Sequence, residues 1–328
     1  MKRLFYVIIL SLFSTLSFSN ENLVKIAGGP ETGEYISIAK SICESFGVLF
    51  KCDAVMTKGT LDNKDLLEKD LVTIALAKSN VADEWMQDKE FSNKFSVIRR
   101  IGDESLFIFG KKEVLTAVGS WIGVRDNAFL LSIGLPGALS GDAAVFNSLK
   151  NVKGSPLSSI NIKVFSDRPS LIDAVKSGKV MLGFIAQVPN PENKLFSAIN
   201  ESGLGIMGVI DPDMIVFGDS FRIKPVTVKN AKLMGLSGKA EQIETANVAV
   251  AILARKPEAM EGRAKQVQDA AIKKILSTSE ANLLPKQNWM QALANTASLK
   301  ANQGLEEVMN SIKNSASGAK EKISALAK

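Results

Sequence analysis

Short apolar strands, small-residue turns and amphipathic helices follow one another along this chain, and that alternation restricts it to α/β folds in which helices cover a largely parallel sheet. Leu23 to Ala27 reads as a strand. It runs into the turn Gly28-Gly29-Pro30-Glu31-Thr32-Gly33 and then into a helical pattern carrying Tyr35, Ile36, Ile38, Ala39, Ile42 and Phe46. The unit recurs with Phe50 to Thr57 as strand, Lys58-Gly59-Thr60 as turn, and Leu61 to Lys69 as a short helix that Thr60 or Asp62 would cap. Leu71 to Ala77 is a buried strand with Lys78, Ser79 and Asn80 at its C-terminal end. Ligands of open parallel sheets bind outside the carboxyl ends of the strands, so these three loops are expected on one rim.

The second half repeats the pattern. Ser105 to Gly110 is expected to cross toward a second lobe, and Phe129 to Ile133 reads as a strand. The small-residue loop Gly134 to Asp142 follows, with Pro136, Gly137, Ser140 and Gly141 before a helix from Ala143 to Lys150. Ile160 to Phe165 is a strand, Leu171 to Ser177 a helix closed by Gly178, and Val180 to Ala186 a strand ending in Gln187-Val188-Pro189. From Ile223 the pattern loosens, with Thr245 to Leu253 the clearest late strand and Glu258 to Leu276 helical, as if the chain returns to complete its first lobe. The predicted organisation is a signal peptide over 1–19, a discontinuous lobe I over 20–106 and 223–297, lobe II over 107–222, and a C-terminal helical tail over 298–328. In that tail Leu305, Val308, Met309 and Ile312 share a helical face, which packs back on its own domain or docks a partner.

Compartment and chemistry come from the N-terminus and from what the composition lacks. Lys2 and Arg3 precede an apolar stretch from Leu4 to Phe18, and Ser17-Phe18-Ser19 places small residues where a signal peptidase reads. A transmembrane anchor is the alternative, but the stretch is short and Ser11, Ser14, Thr15 and Ser17 interrupt it. Export to the periplasm makes Cys43 and Cys52 readable as a disulfide; the other reading is two small buried apolar residues. The chain has no histidine, which excludes Ser-His-Asp and Cys-His nucleophiles and imidazole metal sites. No cofactor is expected, and the reading is of a binding protein, not an enzyme. A net charge of +6, from 40 basic and 34 acidic residues, is too mild and too evenly spread to indicate nucleic acid.

Several segments together resemble the TAXI family of solute receptors that work with TRAP transporters. Gly28, Gly29, Thr32, Gly33 and Tyr35 resemble its glycine-rich turn and the aromatic residue near the helix start. Thr57-Lys58-Gly59-Thr60-Leu61-Asp62-Asn63, with Leu66 and Leu67, looks like a second family segment. Val72 to Asn80 is similar to a third, with Lys78, Ser79 and Asn80 where the family usually has Gln, Ser and Asp. Pro136-Gly137 and Ser140-Gly141-Asp142 resemble its Pro-Gly loop, with Asp in place of the usual Thr and a longer spacing. Ala174 to Ala186, continued by Gln187-Val188-Pro189, resembles a helix, glycine and strand of the second lobe.

The resemblance, which spans about Val24 to Lys256, implies a two-lobed type II periplasmic binding-protein fold. It also implies delivery of a small solute, of the amino-acid or dicarboxylate class, to integral-membrane permease subunits. On this reading the monomeric protein holds an anionic solute between its lobes on the helix starts after Gly33 and Gly141, with Tyr35 packed beside it. Lys58 or Lys78 would neutralise a carboxylate, and Thr57, Thr60, Ser79, Asn80 and Ser140 would offer hydrogen bonds. The competing reading is a periplasmic sensor or adaptor with the same fold that signals through a protein partner.

Overall fold

The structure is a computed structural model. It describes residues 23–31, 33–49, 51–189, 194–229, 232–233, 236–237 and 241–285. The expected signal segment, Thr32 and the tail over 298–328 lie outside the described residues.

The first half is built from β1 (Leu23–Ala27), α1 (Glu34–Phe46), β2 (Lys51–Val55), α2 (Thr60–Glu68), β3 (Ile74–Lys78), α3 (Ser79–Trp85) and α4 (Lys89–Lys94). Then comes β4 (Phe95–Gly110), 16 residues long. Beyond it lie α5 (Lys112–Val118), α6 (Trp121–Asp126), β5 (Ser132–Pro136), α7 (Gly141–Lys150), β6 (Asn161–Phe165), α8 (Arg168–Lys176), β7 (Leu182–Gln187), α9 (Lys194–Glu201) and β8 (Gly205–Gly208). The chain returns through β9 (Phe221–Lys229), a two-stranded pair β10 (Lys232–Leu233) and β11 (Leu236–Ser237), and β12 (Glu241–Arg255). It continues through α10 (Gly262–Ser277) and α11 (Glu280–Leu283).

Strand order along the ten-stranded sheet is β2-β1-β3-β12-β4-β7-β5-β6, with β8 beside β4 and β9 beside β12. β1 runs parallel to β2 and β3 in one half, and β5 runs parallel to β6 and β7 in the other. The antiparallel pair β4 and β12 joins them. Ile74 to Lys78 of β3 pairs with Val250 to Ala254 of β12, while Ser105 to Gly110 of β4 pairs with β7. Two α/β lobes joined by two long crossing strands is the expected fold class, and the chain adopts it.

Both lobes bury their sheet on two faces, as the period of 2 in a strand requires. In lobe I, Ile26, Ile74 and Leu76 pack with Ile38, Ile42, Phe46 and Ile275, whereas Ala27, Ala75 and Ala77 face Leu67, Phe91 and Phe95. In lobe II, Phe146 and Phe184 anchor one face, and Phe107, Ile185 and Phe196 the other. Cys43 of α1 is disulfide-bonded to Cys52 of β2, with Cα atoms 5.3 Å apart.

Three local expectations change. Phe129 and Leu130 lie in a short 3-10 turn at 70% and 63% exposure, and the strand begins only at Ser132. Consecutive exposed side chains cannot belong to a strand with one buried face, so their β propensity yields to tertiary context. The crossing strand starts at Phe95, ten residues before its continuously apolar part, because its first half is only partly buried. Gly59 occupies the cap position of α2, which has no side-chain cap; the Asp62 carboxylate accepts instead from Lys58 N at 2.8 Å.

Candidate functional site

The carboxyl ends of β1, β2 and β3 in lobe I face those of β5 and β6 in lobe II. Between them lies a cavity of about 610 Å³. Lobe I contributes Gly29, Pro30, Gly33, Glu34, Tyr35, Thr57, Lys58, Gly59 and Lys78; the crossing strand contributes Glu104. Lobe II contributes Pro136 to Asp142 and Ser166 to Pro169.

Local chemistry fixes these loops. The buried Asn63 side chain donates to Gly28 O at 2.6 Å and Leu76 O at 2.7 Å, and its oxygen lies 2.6 Å from Thr57 Oγ1, tying together the ends of β1, β2 and β3. A Cβ on Gly28 would stand 2.8 Å from Ile36 Cα, so only glycine lets the turn lie against α1. Gly33 begins α1 without a side-chain cap. In lobe II, Ser140 Oγ accepts from Ala143 N at 3.1 Å to cap α7, and Asp167 accepts from Ser170 N at 2.8 Å to cap α8. The Ser170 hydroxyl and then its N–H hold the Asp167 carboxyl below the usual carboxylate range.

The lobes touch directly around the cavity. Leu61 N donates to Leu139 O at 3.2 Å, and a Cβ on Gly59 would stand 3.0 Å from Ser140 Cα. A Cβ on Gly141 would meet Lys78 Cε at 2.8 Å and Thr60 Oγ1 at 3.0 Å. Ser148 Oγ donates to Glu84 at 3.1 Å, and Gln187 Nε2 donates to Glu34 Oε1 at 3.1 Å. This is a closed arrangement of the two lobes.

Most of the charge in the cavity is internally paired. Lys78 forms an ion pair with Glu104, and the two side chains are only 2% and 4% exposed. The same ammonium lies 5.3 Å from the centre of the Tyr35 ring. Burial, and then the Glu104 charge, push the Tyr35 hydroxyl well above its usual pKa. Arg168 donates from Nε and Nη2 to Asp142 at 3.1 and 3.2 Å, from Nη2 to Ala186 O at 2.9 Å, and from Nη1 to Gln187. Asp142 also accepts from Ala186 N at 2.9 Å. Among the described residues, Lys58 is a lining cation whose ammonium has no carboxylate partner.

Of the residues singled out from sequence, Gly29, Gly33, Tyr35, Thr57, Lys58, Gly59, Lys78, Pro136, Gly137, Ser140, Gly141 and Asp142 line this cavity. Thr60 is buried just behind it. Gln187 stands in the layer behind Arg168. Ser79 and Asn80 begin α3 and do not line the cavity: the Ser79 hydroxyl donates to Ser220 O at 3.3 Å, and Asn80 is buried with no side-chain hydrogen bond among the described residues. Sequence reasoning missed Arg168 and Asp167, although Asp-Arg-Pro after the strand ending at Phe165 is a helix start on the same rim. It also missed Glu104, which no loop motif marks. Among the described residues no cluster of His, Cys, Asp or Glu could hold a metal ion, and no helix is long and apolar enough to cross a membrane.

No family model matches the chain, and no curated protein matches it. Solved structures do. The chain is similar to the amino acid ABC transporter substrate-binding protein AbpA of Streptococcus pneumoniae, bound there to L-arginine, at 14% identity and a TM-score of 0.45, covering 82% of this chain and 95% of that one. It is similar to YhfZ of Shigella flexneri at 13% identity and a TM-score of 0.46, covering 90% and 96%. A structure described as a periplasmic transporter gives 13% identity and a TM-score of 0.43 over 92% and 96%.

Proposed function

We propose that this chain is a periplasmic solute receptor that captures a small organic acid between its lobes and presents it to a TRAP-type membrane permease. The observation that carries the reading is the cavity of about 610 Å³ whose walls come from both lobes and from the crossing strand between them. That volume suits a small organic molecule. A solute touching both lobes favours the closed arrangement, since only differential affinity shifts an opening equilibrium. The division into lobe I over 20–106 and 223–297 and lobe II over 107–222 places Glu104 and Ser105 at the hinge, where Ser105 hydrogen-bonds Asn247 of the other crossing strand. The N-terminal signal pattern and the disulfide support export, and the TAXI-like loops support the TRAP partner.

Mass spectrometry of small molecules released when the purified protein is denatured tests this reading. A single solute at close to one per chain is expected. A protein that neither releases nor rebinds any small molecule would remove the receptor assignment.

A further inference from the structure

We infer that Asn80 limits the affinity of the receptor by opposing lobe closure: its amide is buried without a partner where the lobes meet and is hydrated when they part; this rests on the receptor reading. The short helix α3 turns three faces to three neighbours. Ala82 and Trp85 pack into the core of lobe I, Ser79 and Asp83 hydrogen-bond Ser220, and Glu84 accepts from Ser148 Oγ of α7 at 3.1 Å. Asn80 stands one turn before Glu84, so it lies on the face turned toward α7 in the other lobe. On α7 the opposing residues are Gly141, Ala144 and Ser148, at i, i+3 and i+7 of one helical face. Gly141 lies against Lys78 just before α3, and Ser148 bonds Glu84. At the rise of an α-helix Gly141 and Ser148 are about 10 Å apart, so α7 runs beside α3 and the two contacts bracket Asn80. Ala144, midway between them, is buried yet belongs to neither apolar core of lobe II.

The Asn80 side chain is fully buried, and among the described residues neither its Oδ1 nor its Nδ2 has a hydrogen-bond partner. Asn63 is equally buried but bonds Gly28 O, Leu76 O and Thr57, all within lobe I. An exposed primary amide has water on two donors and two lone pairs, and closing α7 over Asn80 removes that hydration with no bond in return. Parting the lobes moves α7 off this face and restores it, so the cost falls on the closed arrangement alone. A solute touching both lobes must offset that cost, and the solute-free receptor is held open.

Equilibrium dialysis tests this, with the small-molecule mixture released by denaturing wild-type protein as the probe. Refolded wild type and Asn80→Leu, each in excess over the probe, stand on opposite sides of the membrane, and mass spectrometry reads how each compound divides. The Asn80→Leu side should hold about tenfold more of the retained compound. Asn80→Ala, which removes the amide without adding bulk, should shift the division the same way. Equal division overturns the inference alone, and a raised urea midpoint beside it would show an amide buried in the open form too. Division in favour of wild type also overturns it alone, because the amide then gains a partner on closure. Compounds retained by neither side overturn the receptor reading together with the inference.

Discussion

Lys78 and Glu104 meet where the end of β3, the crossing strand and the start of α7 converge, and water has almost no access to either. Such a pair adds little net stability, but removing one partner strands the other charge. Lys78→Met is therefore expected to lower unfolding free energy by about 3–5 kcal/mol in urea titration. The double variant Lys78→Met, Glu104→Leu should recover most of that loss; a single variant as stable as wild type would contradict the burial of the pair. Tyr35 lies against the same ammonium, and its hydroxyl holds its proton to higher pH in the fold than in the unfolded chain. A raised folded pKa stabilises fully below the unfolded value of about 10 and is lost as pH climbs above it. The stability difference between wild type and Tyr35→Phe should accordingly shift against wild type above about pH 10. A pH-independent difference would show that Tyr35 is not buried beside Glu104.

At the level of elements, the disulfide closes α1 onto β2 across a separation of 9 residues. Chain-entropy reasoning gives about 2–3 kcal/mol for a loop of that size. Dithiothreitol should lower the melting temperature by several degrees, and an unchanged midpoint would mean that the bridge constrains little in the unfolded chain. The strands and helices were largely legible because their signals are local: Leu23–Ala27 alternates, α1 carries its apolar stripe, and Gly28 marks a turn that no other residue fits. Phe129 and Leu130 misled because β propensity describes a half-buried surface that those residues do not have. The lining of the candidate cavity was legible where it sits on turns after strands, as with Lys58, Gly59 and Ser140. Glu104 was not, since its role depends on which residue of a long strand lies at the crossing. The state of Lys78 was not either, because an ion pair between residues 26 apart leaves no trace in local pattern.

Across the whole molecule, the lobes meet closely at two glycines. A Cβ on Gly59 would stand 3.0 Å from Ser140 Cα, backbone that cannot give way, and one on Gly141 would meet the buried side chains of Lys78 and Thr60 at 2.8 and 3.0 Å. Gly141→Val should keep the lobes apart while leaving each core intact. Small-angle scattering of that variant is expected to show a larger radius of gyration than wild type with solute bound, and its affinity should fall. A variant that closes and binds normally would show that the lobes do not meet there.

The central claim is that a small solute is held between the lobes. It is tested most directly by the melting temperature of the refolded, solute-free protein against a broad panel of organic acids, amino acids and neutral solutes. A ligand at about 100 times its dissociation constant contributes roughly 2.7 kcal/mol, a shift of a few degrees. The account predicts a selective rise for a narrow class of organic acids. A well-folded protein whose midpoint moves with none of them would contradict it.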